Sequence, residues 1–143
     1  MTPEDINSYQ MASETLEVNY DETLLSKNDA SVGDYERHCI FGNDNYPCIL
    51  ELNVSKWVLR KRVVPMVLRL RCNMGVAKIV EGKYFLCGGI DSFGEKPSRA
   101  SFIYYTGTNK AIEVDKMACK KHQFAISGNS QNVYIFGGRN ESG

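Results

Sequence analysis

The sequence holds few of the residues on which catalytic and metal chemistry depend. Its only histidines are His38 and His122. Neither stands at ligand spacing from a cysteine, and no CxxC or HxxxH occurs, so no metal site is expected. No GxGxxG, P-loop or nucleophile elbow is present. Gly88-Gly89 ahead of Gly94-Glu95-Lys96 superficially resembles a phosphate loop, but the spacing is wrong and no helical pattern follows. The expectation is therefore a non-enzyme without cofactor. No apolar stretch approaches about 18 residues, so no helical membrane span is expected. The N-terminus is acidic and has no apolar run, unlike a secretory leader. Nowhere do apolar residues recur at helical spacing over three turns, which argues against helices altogether.

What remains is a chain of 143 residues, 43% hydrophobic, enough for one domain with a core. Net charge is zero but unevenly spread. Residues 1–36 carry nine acidic side chains and one basic (net −8), and the rest of the chain is +8. The first 35 residues read as an acidic, mostly disordered arm with one strand signal near 15–20. A solvated tail is the plain reading of that arm, and masking of a basic surface is the alternative. The five cysteines are odd in number and scattered, which fits free thiols in a reducing, cytoplasmic setting. Asn53-Val54-Ser55 and Asn140-Glu141-Ser142 match the glycosylation sequon, a motif short enough to recur by chance.

From Glu36 on, short apolar and aromatic runs alternate with turns. Strands are expected at Arg37–Phe41, Cys48–Val54, Trp57–Val63, Val76–Val80, Tyr84–Cys87, Ala100–Tyr105, Ala111–Val114, Gln123–Ile126 and Val133–Phe136. Gly42-Asn43-Asp44-Asn45, Ser55-Lys56, Glu81-Gly82 and Gly107-Thr108-Asn109 supply turn chemistry. Pro65 ends the third run, since proline cannot donate to a ladder. The chain reads as all-β, built of antiparallel meanders.

One pattern occurs twice. Lys83-Tyr84-Phe85-Leu86-Cys87 closes on Gly88-Gly89, and Asn132-Val133-Tyr134-Ile135-Phe136 closes on Gly137-Gly138, 49 residues later. An aromatic strand ending in Gly-Gly at this period resembles the kelch repeat, the four-stranded unit of a kelch-type β-propeller. Arg71, the Tyr104-Tyr105 strand and Met117 extend the likeness in the clearest unit. In an earlier unit Gly42-Asn43 stands where Gly-Gly is expected, followed by Trp57 and Met66. That unit lacks the second glycine, and the next lacks the tryptophan. The resemblance covers residues 36–143 as units of roughly 36–65, 66–117 and 118–143, about two and a half blades. It implies that Trp57, Tyr84, Tyr104 and Tyr134 fill the wedges between blades. A propeller needs more blades than these, so a fragment, or a chain that self-assembles to complete the ring, is expected.

The resemblance implies a protein-interaction module that meets its partner through loops on one face. The candidate loops are 65–74, 90–98 and 116–121. Arg71, Lys96, Arg99, Lys120 and Lys121 would face an acidic partner, with Phe93 as an apolar anchor. In the family such domains serve as substrate-recognition parts of cullin-type ubiquitin ligase adaptors, as actin or cytoskeleton binders, or as scaffolds. Some kelch-type propellers are copper or iron enzymes, but no matching set of Tyr, Cys and His ligands can be carried over. The basic run Arg60, Lys61, Arg62, Arg69 and Arg71 keeps nucleic acid or an anionic membrane open as another partner class. The lack of regularly interleaved aromatics weighs against single-stranded nucleic acid.

Overall fold

The computed structural model describes residues 13–17, 37–92 and 96–140. Among these residues the chain is all-β, with ten strands and no helix: β1 (Ser13–Glu17), β2 (Arg37–Phe41), β3 (Ile49–Asn53), β4 (Val58–Arg62), β5 (Gly75–Val80), β6 (Lys83–Cys87), β7 (Ser101–Tyr105), β8 (Lys110–Val114), β9 (Ala125–Gly128) and β10 (Asn132–Phe136). They form three antiparallel sheets: β2-β3-β4, β5-β6-β7-β8 and β1-β10-β9. We call these the first, middle and third sheets. No helix among the described residues is long and apolar enough to cross a membrane.

Strands β6 and β7 lie at the centre, and their composition explains it. Lys-Tyr-Phe-Leu-Cys and Ser-Phe-Ile-Tyr-Tyr are near-continuous apolar runs, the signature of strands buried on both faces. Because side chains alternate, each strand feeds two cores. Tyr84, Leu86, Phe102 and Tyr104 pack with Ile49, Leu68 and Leu70 on the side of the first sheet. Phe85, Cys87, Ile103 and Tyr105 pack with Met117, Val133 and Ile135 on the side of the third. Each fully buried large side chain contributes about 1.5–3 kcal/mol of transfer free energy.

Polar stitches tie the first sheet to the middle one. The Tyr84 hydroxyl accepts from the Cys39 amide at 2.9 Å and donates to the Arg37 carbonyl at 3.3 Å. Burial pushes the phenol of Tyr84 above its usual range. Burial likewise pushes the Cys39 thiol up to about 11, so it stays protonated at neutral pH. The Tyr104 hydroxyl donates to Asn109 Oδ1 at 2.7 Å, and Asn109 Nδ2 donates to the Val63 carbonyl at 2.9 Å. Phe41 meets the rings of Tyr84 and Tyr104 edge-on, at 5.4 and 5.6 Å between centroids.

The pairing registers repeat. Arg37 pairs with Asn53 and Asn53 with Val58, as Lys83 pairs with Tyr105 and Tyr105 with Lys110. The third sheet follows the same scheme with an unexpected member. Phe136 pairs with Ser13 and Asn132 with Glu17, as Cys87 pairs with Ser101 and Lys83 with Tyr105. The N-terminal strand thus takes the third-strand place next to β10. The strand signal read near 15–20 is realised at Ser13–Glu17, and the rest of the acidic arm lies outside the described residues.

Two aromatic expectations are corrected. Trp57 is 78% exposed, closing the turn from Val54 with φ of 52°, and fills no space between sheets. Among the described residues no strand pairs with β4 on its far side, and the ring stands in the turn that precedes that strand. Tyr134 is also exposed, because it points away from the middle sheet while Val133 and Ile135 point toward it. Tyr84 and Tyr104 are buried between sheets, as their roles required.

The Gly-Gly pairs turn with positive φ: 66° and 89° at Gly88 and Gly89, 67° and 97° at Gly137 and Gly138. At Gly88 a Cβ would stand 2.5 Å from the Lys121 carbonyl oxygen and 2.8 Å from the Phe124 ring. At Gly137, with the same backbone, it would meet nothing within 4 Å. Gly88→Ala is therefore expected to cost about 3 kcal/mol, from left-handed strain plus overpacking, and Gly137→Ala about 1 kcal/mol from strain alone. Urea unfolding of the two variants checks the difference, and equal losses would refute the crowding argument.

Candidate functional site

The middle sheet is a meander, so the start of β5, the end of β6, the start of β7 and the end of β8 share one end. The connections leaving that end meet there. Backbone hydrogen bonds knit them together. Gly88 N–H donates to Ala100 O at 3.0 Å, and Gly89 N–H to Lys121 O at 2.9 Å. Ser98 N–H donates to Gly89 O and Met117 N–H to Arg99 O, both at 2.8 Å. The crowding at Gly88 and Gly89 thus brings the 96–100 and 116–121 segments against each other.

Between these segments lies a cleft of about 350 Å³. Arg71, Lys96, Arg99, Lys116 and Lys120 line it, together with the two carboxylates of Asp91 and Glu113. Among the described residues, five cations against two anions line it, a basic recess. Arg71 is its inner wall, with a side chain only 9% exposed. Its Nε lies 3.4 Å from Asp91 Oδ1, an ion pair without hydrogen-bond geometry, so both atoms lack a hydrogen-bond partner. Arg69 Nη2 reaches the other oxygen of Asp91 at 3.3 Å. Burial, with Arg69 adding to it, pulls the Arg71 guanidinium below its usual value, and Asp91 opposes this. A buried cation with an unused donor, in a low-dielectric wall, favours an incoming carboxylate more strongly than a surface lysine does. Among the described residues, Lys96, Arg99 and Lys116 have no ion-pair partner.

A second loop braces the wall from the side of the first sheet. Asp44 accepts hydrogen bonds from Ser92 N at 2.8 Å and from Ser92 Oγ, and the Cys72 thiol lies 3.0 Å from the same hydroxyl. These bonds, the Ser92 hydroxyl first, hold the Asp44 carboxyl below its usual range.

Four of the six residues singled out from sequence line one cleft: Arg71, Lys96, Arg99 and Lys120. Lys121 does not line it; its peptide group bonds to Gly89 and Ser98 instead. Phe93 lies outside the described residues. The sequence reading overlooked Lys116, Asp91 and Glu113. Lys116 stood within a named loop, but nothing local marked its direction. In the basic run 60–71 four of the five cations are ion-paired, and Lys61 is exposed. Arg60 and Arg62 bind Glu51, and Arg69 and Arg71 bind Asp91. Among the described residues no group of three or more His, Cys, Asp or Glu side chains is placed to hold a metal ion. Compared with known proteins, the chain matches no family model and no curated protein.

Proposed function

We propose that the chain is a protein-interaction module of the kelch-type β-propeller kind, which takes an acidic segment of a partner protein in the basic cleft. The observation that carries this reading is the convergence of Arg71, Lys96, Arg99, Lys116 and Lys120 on one recess at the loop end of the middle sheet. The repeated registers and the stacked antiparallel sheets support the propeller part. The five free cysteines suit a reducing compartment such as the cytoplasm. Ion pairing of Arg60, Arg62, Arg69 and Arg71 with Glu51 and Asp91 favours the cleft over the 60–71 run as the binding surface.

The test is binding of a fluorescein-labelled Glu/Asp-rich 12-residue peptide, followed by anisotropy. The expected result is measurable binding that weakens roughly tenfold in the double variant Arg99→Glu/Lys116→Glu, each residue being an exposed charge at the rim. Equal binding by the variant would overturn the assignment of the cleft. Preference for a random DNA duplex, with a steep loss in salt, would replace it by a nucleic-acid reading.

A further inference from the structure

The two seams between the sheets are filled differently at their loop end. Between the middle and third sheets the ring of Phe124 covers Gly88. A Cβ at Gly88 would stand 2.8 Å from that ring, and a Cβ at Gly75 would collide with it. Phe124 directly precedes β9, whose first residue Ala125 pairs with Phe136, the last of β10. Met74 holds the same place before β5, whose first residue Gly75 pairs with Cys87, the last of β6. Gly42 follows β2 as Gly88 follows β6, since Arg37 to Phe41 keep the register of Lys83 to Cys87. In the seam between the first and middle sheets a slender methionine therefore stands where the next seam has a ring.

A second cleft, of about 400 Å³, opens at that place. Phe41, Met74 and Val76 line it and also pack against the core between the first and middle sheets, so they give it an apolar floor. The 42–46 loop does not fill it. At Gly42 a Cβ would collide with the Tyr46 carbonyl oxygen, and Asn43 Oδ1 holds the loop by accepting from the Asn45 and Tyr46 amides at 2.9 and 3.1 Å. Arg71 lines this cleft as well as the basic one, so the apolar floor and the five cations are neighbours. A peptide chain advancing about 3.3 Å per residue passes one such side chain within a few residues.

We propose that the acidic partner segment carries a phenylalanine-sized apolar residue a few positions from its carboxylates, and that this residue seats in the second cleft on Phe41, Met74 and Val76. The inference rests on the reading of the basic cleft and adds to it the second half of the recognised motif. The cations set where the segment lies, and the apolar floor sets which residue must flank its charges. Such a ring would take the place that Phe124 takes in the next seam.

Anisotropy on the full chain tests this, with the labelled Glu/Asp-rich peptide and a set of the same peptide bearing one phenylalanine at each position in turn. Phenylalanine at one or two adjacent positions is expected to tighten binding roughly tenfold over the all-acidic peptide. Met74→Phe fills the cleft with the chain's own ring, as Phe124 does in the next seam, and should reduce that ratio to about twofold or less. Val76→Thr, nearly equal in volume but polar, should lower the ratio too, and it decides the matter should Met74→Phe not fold. If the all-acidic peptide binds through Arg99 and Lys116 but no phenylalanine position tightens it, this inference falls and the basic cleft stands. An equal gain at every position, or a gain that survives in the folded variants, also overturns it. If the acidic peptide ignores Arg99→Glu/Lys116→Glu, the reading of the basic cleft falls and this inference falls with it.

Discussion

Glu51→Ala is expected to destabilise the chain by about 4 kcal/mol in equilibrium denaturation, a large share of a typical domain's 5–15 kcal/mol. Glu51 lies in the middle of β3, on the face turned toward the middle sheet, and its side chain is 5% exposed. Arg60 Nη2 meets Oε1 at 3.0 Å, Arg62 Nη1 meets Oε2 at 2.8 Å, and Arg37 Nη1 stands 3.9 Å away. Arg62 also donates to the Thr106 carbonyl at 2.6 Å, so this carboxylate anchors a bond between sheets. Removing it leaves the buried guanidinium of Arg62 without this counter-charge, which is why the cost exceeds that of any surface pair. The companion variant Glu51→Leu/Arg60→Leu/Arg62→Met, which removes the charges together, should regain most of the loss. If Glu51→Ala costs under about 1 kcal/mol, the cluster behaves as a solvated surface network.

Tyr104→Ala should cost about 4 kcal/mol and Tyr104→Phe about 1 kcal/mol. The ring is fully buried against the first sheet, edge-on to Phe41, and truncation leaves a cavity between two sheets that cannot collapse independently. The smaller change removes only the hydroxyl that donates to Asn109, whose Nδ2 in turn donates to the Val63 carbonyl. The same residue gives a pH signature. Burial raises its phenol to about 12, against about 10 in an unfolded chain. The folded state thus holds this proton more tightly. Its contribution is fully present below pH 10 and is lost as pH rises from about 10 to 12. Tyr104→Phe should therefore flatten the alkaline fall in stability; an unchanged fall would assign it to Tyr84 and other groups.

Much of the strand order was legible because alternation and turn chemistry act over a few residues. Nine of the expected strands recur within two residues of their read positions, Arg37–Phe41 and Tyr84–Cys87 among them. Glycine at 88 and 89 signalled backbone crowding, and the contacts around Gly88 are that crowding. The cleft was half legible. Cations in three loops pointed toward one end, since a meander returns its loops there, but which of them turn inward depends on the backbone bonds from Gly88 and Gly89.

Local pattern by itself determined the all-β class, the meander and the 49-residue recurrence, since each follows from side-chain period and turn residues alone. Three matters were decided only by the tertiary structure. A period of two marks two faces without saying which is inward, and on β3 the carboxylate of Glu51 went in while Leu50 and Leu52 went out. The wedge role expected of Trp57 was not met, because the ring stands exposed in the turn before β4. The partner of Ser13–Glu17 turned out to be β10, more than a hundred residues away, where an edge strand left open hydrogen-bonding groups. Each depends on which surface comes to lie opposite, and that is a property of the assembled sheets.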